Sequence, residues 1–212
     1  LREYSLTIGI ALLIAQCLRA SIADGYGINT TAMLPTLQAG DQILVNKTAY
    51  GIRIPFSKTR RLTKQKLPQR GDVVVFRTSD HDSLRQVSRV VGLPGDVVEV
   101  CDREVRLNGA PLQTEPLTGF CSYEPMTPSD RERSTPRPCT AVSERIGNQS
   151  YLTLYPAVAA VVPHGCMAPV TVPADSVFTL SDNRAEEPAR HIVPIHRITG
   201  KASVIVWSQG VT

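Results

Sequence analysis

A series of short β-branched runs, each closed by a turn signal, constrains this chain more than any other feature. DQILVN at 41–46, DVVVFR at 72–77, QVSRVV at 86–91 and DVVEV at 96–100 lie beside Gly-Asp or Pro-Gly pairs. VRLNG at 105–109 reads as a strand running into an Asn-Gly turn, and two more apolar strands are expected at 176–180 and 203–207. Segments this short suit sheets rather than helical bundles. Composition agrees, with 5% aromatic residues beside 14 Gly and 16 Pro. The pattern predicts a mainly β fold, a strongly coiled antiparallel sheet. Residues 114–138 are rich in Pro, Ser and Thr without clear period, and are expected to form an insertion or excursion from the main sheet. No internal repeat is visible.

The start of the chain follows other rules. Residues 6–18 read LTIGIALLIAQCL, without charge, before Arg19 interrupts and ASIA continues to Ala23. The run is short enough for a signal-peptide core, with Ser21 and Ala23 as small residues for a cleavage site before Asp24. Counted from Leu6 to Ala23 it also reaches across a thin bilayer, with Arg19 snorkelling to the interface. A buried core helix is a third option. The sequence opens on Leu1 rather than Met, so residues upstream are expected. Either membrane-related reading puts the rest of the chain outside the cytoplasm. With 42% apolar and 20% charged residues, composition excludes a polytopic membrane protein, a coiled coil and a disordered tail.

The net charge of +4 is concentrated locally. Lys47, Arg53, Lys58, Arg60, Arg61, Lys64, Lys66 and Arg70 fall in 42–71 with no acidic residue after Asp41. The stretch lacks interleaved aromatics for base stacking, so no nucleic-acid partner is expected; a solvated basic loop or one near anionic lipid fits better. Cys101, Cys121, Cys139 and Cys166 could form two disulfides in three pairings, or remain free thiols. No spacing suggests a metal site, His164 beside Cys166 included, and no cofactor is expected.

Four ordered blocks carry the most information: INTTAMLPTLQAGDQILVNKTAYG at 28–51, RGDVVVFR at 70–77, SRVVGLPGDVVEV at 88–100 and VPADSVFTLSDNR at 172–184. Together with the preceding apolar segment, they resemble bacterial type I signal peptidases (peptidase S26), the membrane-anchored serine peptidases that remove signal peptides from exported proteins. The resemblance runs from about Arg2 to Trp207 and is weakest between Gly109 and Ala168. It implies a transmembrane anchor helix at 1–23 and a core β domain at 24–108. A variable insertion would follow at 109–170, with a return to the core at 171–212. It also implies a cytoplasmic-membrane protein, single-pass in this chain, with its main domain on the periplasmic or extracellular side. Signal peptides or extended segments of exported proteins, and membrane lipid, would be its partners.

The family's chemistry needs a serine nucleophile and a lysine whose pKa is depressed by desolvation, so that it can act as base. The serine belongs in a stretch like Ser-Met-x-Pro-Thr-Leu, where this chain has Ala32 before Met33. The lysine belongs in a stretch like Lys-Arg-x-x-Gly-x-Pro-Gly-Asp, where this chain has Ser88 before Arg89. Thr30 matches the residue that lends a hydroxyl to the oxyanion hole. The supporting Gly-Asp-Asn-Arg turn becomes Ser181, Asp182, Asn183 and Arg184, and the following AEEPARHIVP is shorter than the family's. Glu186, Glu187 and Arg190 do not align to support roles, and His164, His191 and His196 have no motif-based claim to activate a hydroxyl.

What the resemblance leaves intact is a place for an extended peptide, along Ile28, Asn29, Thr31 and Met33 on one side and Gln86 and Val87 on the other. Main-chain hydrogen bonds supply affinity there and alternate side chains supply specificity. The expected function is that of an inactive pseudo-peptidase binding extended segments of exported proteins. The alternatives are an engineered or recently inactivated copy of a working peptidase, and a non-catalytic structural protein of the membrane surface.

Overall fold

A computed structural model describes residues 4, 8–11, 16, 22–52, 62–79, 84–101, 104–125, 135–157, 166–185 and 190–208. Its strands are β1 (Ala23–Gly27), β2 (Gln42–Asn46), β3 (Val73–Arg77), β4 (Arg85–Gly92), β5 (Val97–Cys101), β6 (Glu104–Leu107), β7 (Ala110–Pro111) and β8 (Gln113–Pro116). There follow β9 (Cys121–Tyr123), β10 (Arg137–Ile146), β11 (Gln149–Pro156), β12 (Val170–Thr171), β13 (Ser176–Leu180), β14 (Arg190–Pro194) and β15 (Ile198–Trp207). A seven-stranded sheet runs in the order β1-β2-β15-β3-β4-β13-β14. Two four-stranded sheets flank it: β11-β10-β8 with β9 also on β10, and β12-β5-β6-β7. Every strand pairing is antiparallel. The expected mainly β, curled antiparallel fold is the one observed.

The unbroken VVVF run of β3 is explained by burial on both faces. Val74 and Phe76 pack with Val90, Val193 and Ile198 on one side, while Val75 packs with Ile28, Met33 and Val87 on the other. A third cluster joins Val91 of β4 and Phe178 of β13 to Val98, Val105 and Tyr151, tying the smaller sheets to the main one. Register shifts along β15, between Ile198 and Gly200, Ala202 and Val204, and Ile205 and Trp207, bend and coil the sheet. Gly200 lets two strands approach closely: a Cβ there would lie 2.4 Å from the backbone carbonyl oxygen of Asn46. The curl carries β1 round toward β4, from which three strands separate it in sheet order.

The predicted Asn-Gly turn links β6 to β7, with Asn108 at φ 54° and Gly109 at φ 82°. Of the stretch at 114–138, the described residues include most of β8, all of β9 and the start of β10, which pair with one another in a sheet apart from the seven-stranded one. The cysteines join as Cys101–Cys166 and Cys121–Cys139, which resolves the three pairings left open and removes the free-thiol option for all four. The expected anchor at 1–23 falls largely outside the described residues. Residues 4, 8–11, 16 and 22 are helical, and among the described residues no helix is long and apolar enough to cross a membrane.

Candidate active site and peptide slot

The loop between β1 and β2, residues 28–41, is closed at its base by backbone bonds from Ile28 to Asp41 and from Gly40 back to Ile28, both 2.8 Å. Its apolar residues, Ile28, Met33 and Leu37, are buried against Val87 of β4 and Val75 of β3. This cluster seats the loop carrying Thr30, Thr31 and Ala32 on the strand carrying Gln86, Val87 and Ser88. The Ala32 amide donates to the Thr30 hydroxyl oxygen at 2.9 Å, which ties the expected nucleophile position to the expected oxyanion-hole residue. Asn29 and Gln86 are exposed.

Ser88 lies opposite Val74 in the sheet and is 1% exposed, and its Oγ is buried without a hydrogen-bond partner. Such an unmade bond costs about 1–3 kcal/mol. Next to it, Arg89 makes a two-pronged ion pair with Asp182, Nε–Oδ1 2.7 Å and Nη2–Oδ2 2.6 Å. Arg89 also donates to the Gly71 carbonyl at 2.8 Å and lies 4.0 Å over the Tyr151 ring. Thr36, from the β1–β2 loop, donates its hydroxyl to Asp182.

The turn at 181–184 is a buried hub. The Asn183 backbone N–H donates to the Ala32 carbonyl at 2.9 Å, and its side-chain amide donates to the Thr31 carbonyl at 3.1 Å. Ser181 donates to the Asn183 carbonyl at 3.3 Å. Arg184 reaches Glu144 of β10 at 3.1 Å, and Tyr151 and Tyr155 donate to the same carboxylate at 3.0 and 2.6 Å. Burial presses against the Arg184 charge, but Glu144 beside it raises its pKa. Burial, then the Glu144 charge, pushes the Tyr151 phenol up. The positions named from sequence thus converge: the turn hydrogen-bonds the loop that bears Ala32 and ion-pairs the neighbour of Ser88.

Strand pairing leaves a slot beside these positions. β13 accompanies β4 only as far as Leu180 opposite Arg89, so among the described residues no strand pairs residues 85–88 on that side. Ladder alternation, set by Thr78 N–H to the Leu84 carbonyl and Val90 N–H to the Asp72 carbonyl, turns the backbone groups of Arg85 and Val87 to this open edge. β1 is the sheet's other edge there, and the same alternation turns Gly25 and Gly27 outward. Tyr26 spans the gap, its hydroxyl donating to the Arg85 carbonyl at 2.7 Å.

With this geometry, the match to known proteins is decisive: residues 1–207 fit the family described as Signal peptidase, peptidase S26. The chain belongs to that family. It is 34% identical over 186 residues to Signal peptidase I of Pseudomonas aeruginosa, covering 86% of this chain and 59% of the relative. Signal peptidase I of Pseudomonas fluorescens is 36% identical over 183 residues, again 86% and 59%. Signal peptidase I of Leptolyngbya laminosa is 27% identical over 211 residues, 95% and 77%. The chain therefore spans about three fifths of the two Pseudomonas relatives' length.

Sequence reasoning missed Glu144, whose isolated position in a weakly matching region gave no signal, and the part played by Arg89, which stood inside a quoted block. His191 lies on β14 with its ring 5.4 Å from Phe76, and burial lowers its pKa. His196 is exposed in the short helix Ile195–Arg197. His164, Glu186 and Glu187 lie outside the described residues. Of the basic stretch, Arg70 pairs with Asp96 at 2.7 Å and Lys47 with Asp24 at 3.6 Å, while Lys64 and Lys66 are exposed.

Proposed function

We propose that this chain is a catalytically silent signal peptidase homologue that binds extended segments of exported proteins. The observation that carries the reading is the slot between two open strand edges, β1 and residues 85–88 of β4. An extended peptide laid there would meet backbone donors and acceptors on both sides, which is recognition by strand addition. Cleavage is another matter. The Ala32 methyl has no atom to attack a carbonyl and no proton to give up. Ser88 offers a hydroxyl, which has no capacity to serve as a base at neutral pH.

A lysine at position 88 is what the family's chemistry calls for. A side chain buried beside Val74 would have its ammonium desolvated and its pKa lowered, as a lysine base requires. Together with the intact Arg89–Asp182 pair, this favours a second reading, a recently inactivated copy of a working peptidase. The double substitution Ala32→Ser with Ser88→Lys distinguishes the two. Return of small-x-small signal-peptide cleavage, followed by mass spectrometry, supports recent loss; continued silence supports a long-standing binding protein. The unaltered chain is expected to cleave nothing, and turnover near that of an active relative would sink both readings.

The membrane assignment is part of this proposal: an anchor at 1–23 in the cytoplasmic membrane and the β domain on the extracytoplasmic side. Two disulfides suit an oxidising compartment. Leu44, Val204, Ile205, Val206 and Trp207 form an exposed apolar rim on adjacent strands β2 and β15, suited to lipid contact. The division into 24–108, 109–170 and 171–212 is retained on the ground that β8–β11 form a sheet of their own. Photocrosslinking of a signal-peptide probe to residues 26–33 is expected; its absence would leave a structural membrane-surface role.

A further inference from the structure

We propose that Tyr26, backed by the Asp24–Arg85 ion pair, is a strap that holds the peptide slot shut until an incoming chain displaces it. The inference rests on the peptide-binding reading above and names how that site is controlled. The Arg85 carbonyl points out of the sheet at the open edge of β4, where an added strand would need it as an acceptor. Tyr26, from the opposite edge, already occupies that acceptor at 2.7 Å. The Tyr26 ring packs against the buried cluster of Ile28, Met33 and Val87, so the hydroxyl is held in place rather than waving in solvent.

The neighbouring charges close the same gap. Arg85 Nη1 lies 2.8 Å from Asp24 Oδ2, joining β4 to β1 a second time, and Lys47 Nζ stands 3.6 Å from that same oxygen. Asp24 is therefore held by two cations, one on each side of the gap. Each side chain is about a quarter to a third exposed, so salt screens the clasp. Gly25 and Gly27 flank Tyr26 on the edge strand; a Cβ at Gly25 would meet nothing within 4 Å, whereas one at Gly27 would lie 2.8 Å from the Gln42 side-chain amide. An entering peptide gains strand hydrogen bonds but first gives up one tyrosine bond and one ion pair.

The test uses the full chain with Tyr26→Phe, which keeps the ring and removes only the hydroxyl. Binding of an uncharged fluorescent Ala-x-Ala peptide is measured by anisotropy, and exchange of the amides in 84–89 is measured by mass spectrometry. The variant is expected to bind the peptide about 2- to 13-fold more tightly, the equivalent of one hydrogen bond of about 0.5–1.5 kcal/mol. Its 84–89 amides should exchange faster. Asp24→Asn is expected to tighten binding by about two-fold at low salt and not at all in high salt. Unchanged or weaker binding by Tyr26→Phe beside measurable binding by the unaltered chain overturns the strap. Faster exchange with no peptide binding by either protein supports the strap and overturns the peptide slot itself. Unchanged exchange with no binding overturns both.

Discussion

The turn at 181–184 bonds to the loop of Ala32 and to the neighbour of Ser88, yet the side chains of the turn and those at 32 and 88 are held very differently. The turn keeps three of its four motif residues, Asp182, Asn183 and Arg184, and each is buried and bonded to a different part of the fold. Positions 32 and 88 carry side chains with no comparable ties: a methyl group, and a hydroxyl that finds no partner. The difference teaches what holds a residue in place. Removing one member of a buried ion pair strands the other charge in a medium that solvates it poorly. A reactive side chain carries no such structural penalty, so it can be lost while the frame around it stands.

The sharpest way to break this comparison is Asp182→Ala. It leaves Arg89 buried against Tyr151 without its carboxylate and removes the acceptor of Thr36. Destabilisation of about 3–5 kcal/mol is expected in urea denaturation. A loss under 1 kcal/mol would mean that the turn is no more structural than Ala32.

Ser88→Ala sharpens the other side. Removing a buried hydroxyl that makes no bond should leave stability unchanged or raise it by up to about 1 kcal/mol. A marked loss would show that the hydroxyl has a partner in solution and that position 88 is tied into the frame after all.

The smallest effect concerns pH. If the hub's charges are held by their partners, titration near neutrality should come from His191, on the strand paired with β13 just before the turn. Its pKa is lowered by burial, so the unfolded chain binds the proton more readily. The resulting stability is fully present above the ordinary histidine value of about 6.5 and is lost as pH falls through the folded value. Thermal melts should show a small decline below about pH 6.5 that His191→Phe flattens. A decline that persists in the variant would point back to the hub.

Much of the strand framework was legible before any coordinates. β2, β3, β4 and β5 sit where β-branched runs meet Gly-Asp and Pro-Gly turns, and β13 is a short apolar run of the same kind; β3, β4 and β13 are covered on both faces, whereas β2 and β5 alternate exposed and buried residues. β10 and β11 were not legible. β10 begins at Arg137, beside a Pro-rich stretch, and carries Glu144 near its end, a residue type that reads as a surface one. Only the arrival of Arg184, Tyr151 and Tyr155 from elsewhere in the chain lets that carboxylate be fully buried.

The sequence by itself determined the family, the coiled β class and the absence of serine and lysine at 32 and 88, since each is a matter of residue type and local spacing. Tertiary structure decided which cysteines join, how the 181–184 turn binds the loop of Ala32, and that β1 and β4 face each other across a slot spanned by Tyr26. Those facts depend on sheet curl and on where β13 stops, properties summed over many strands that no short stretch encodes.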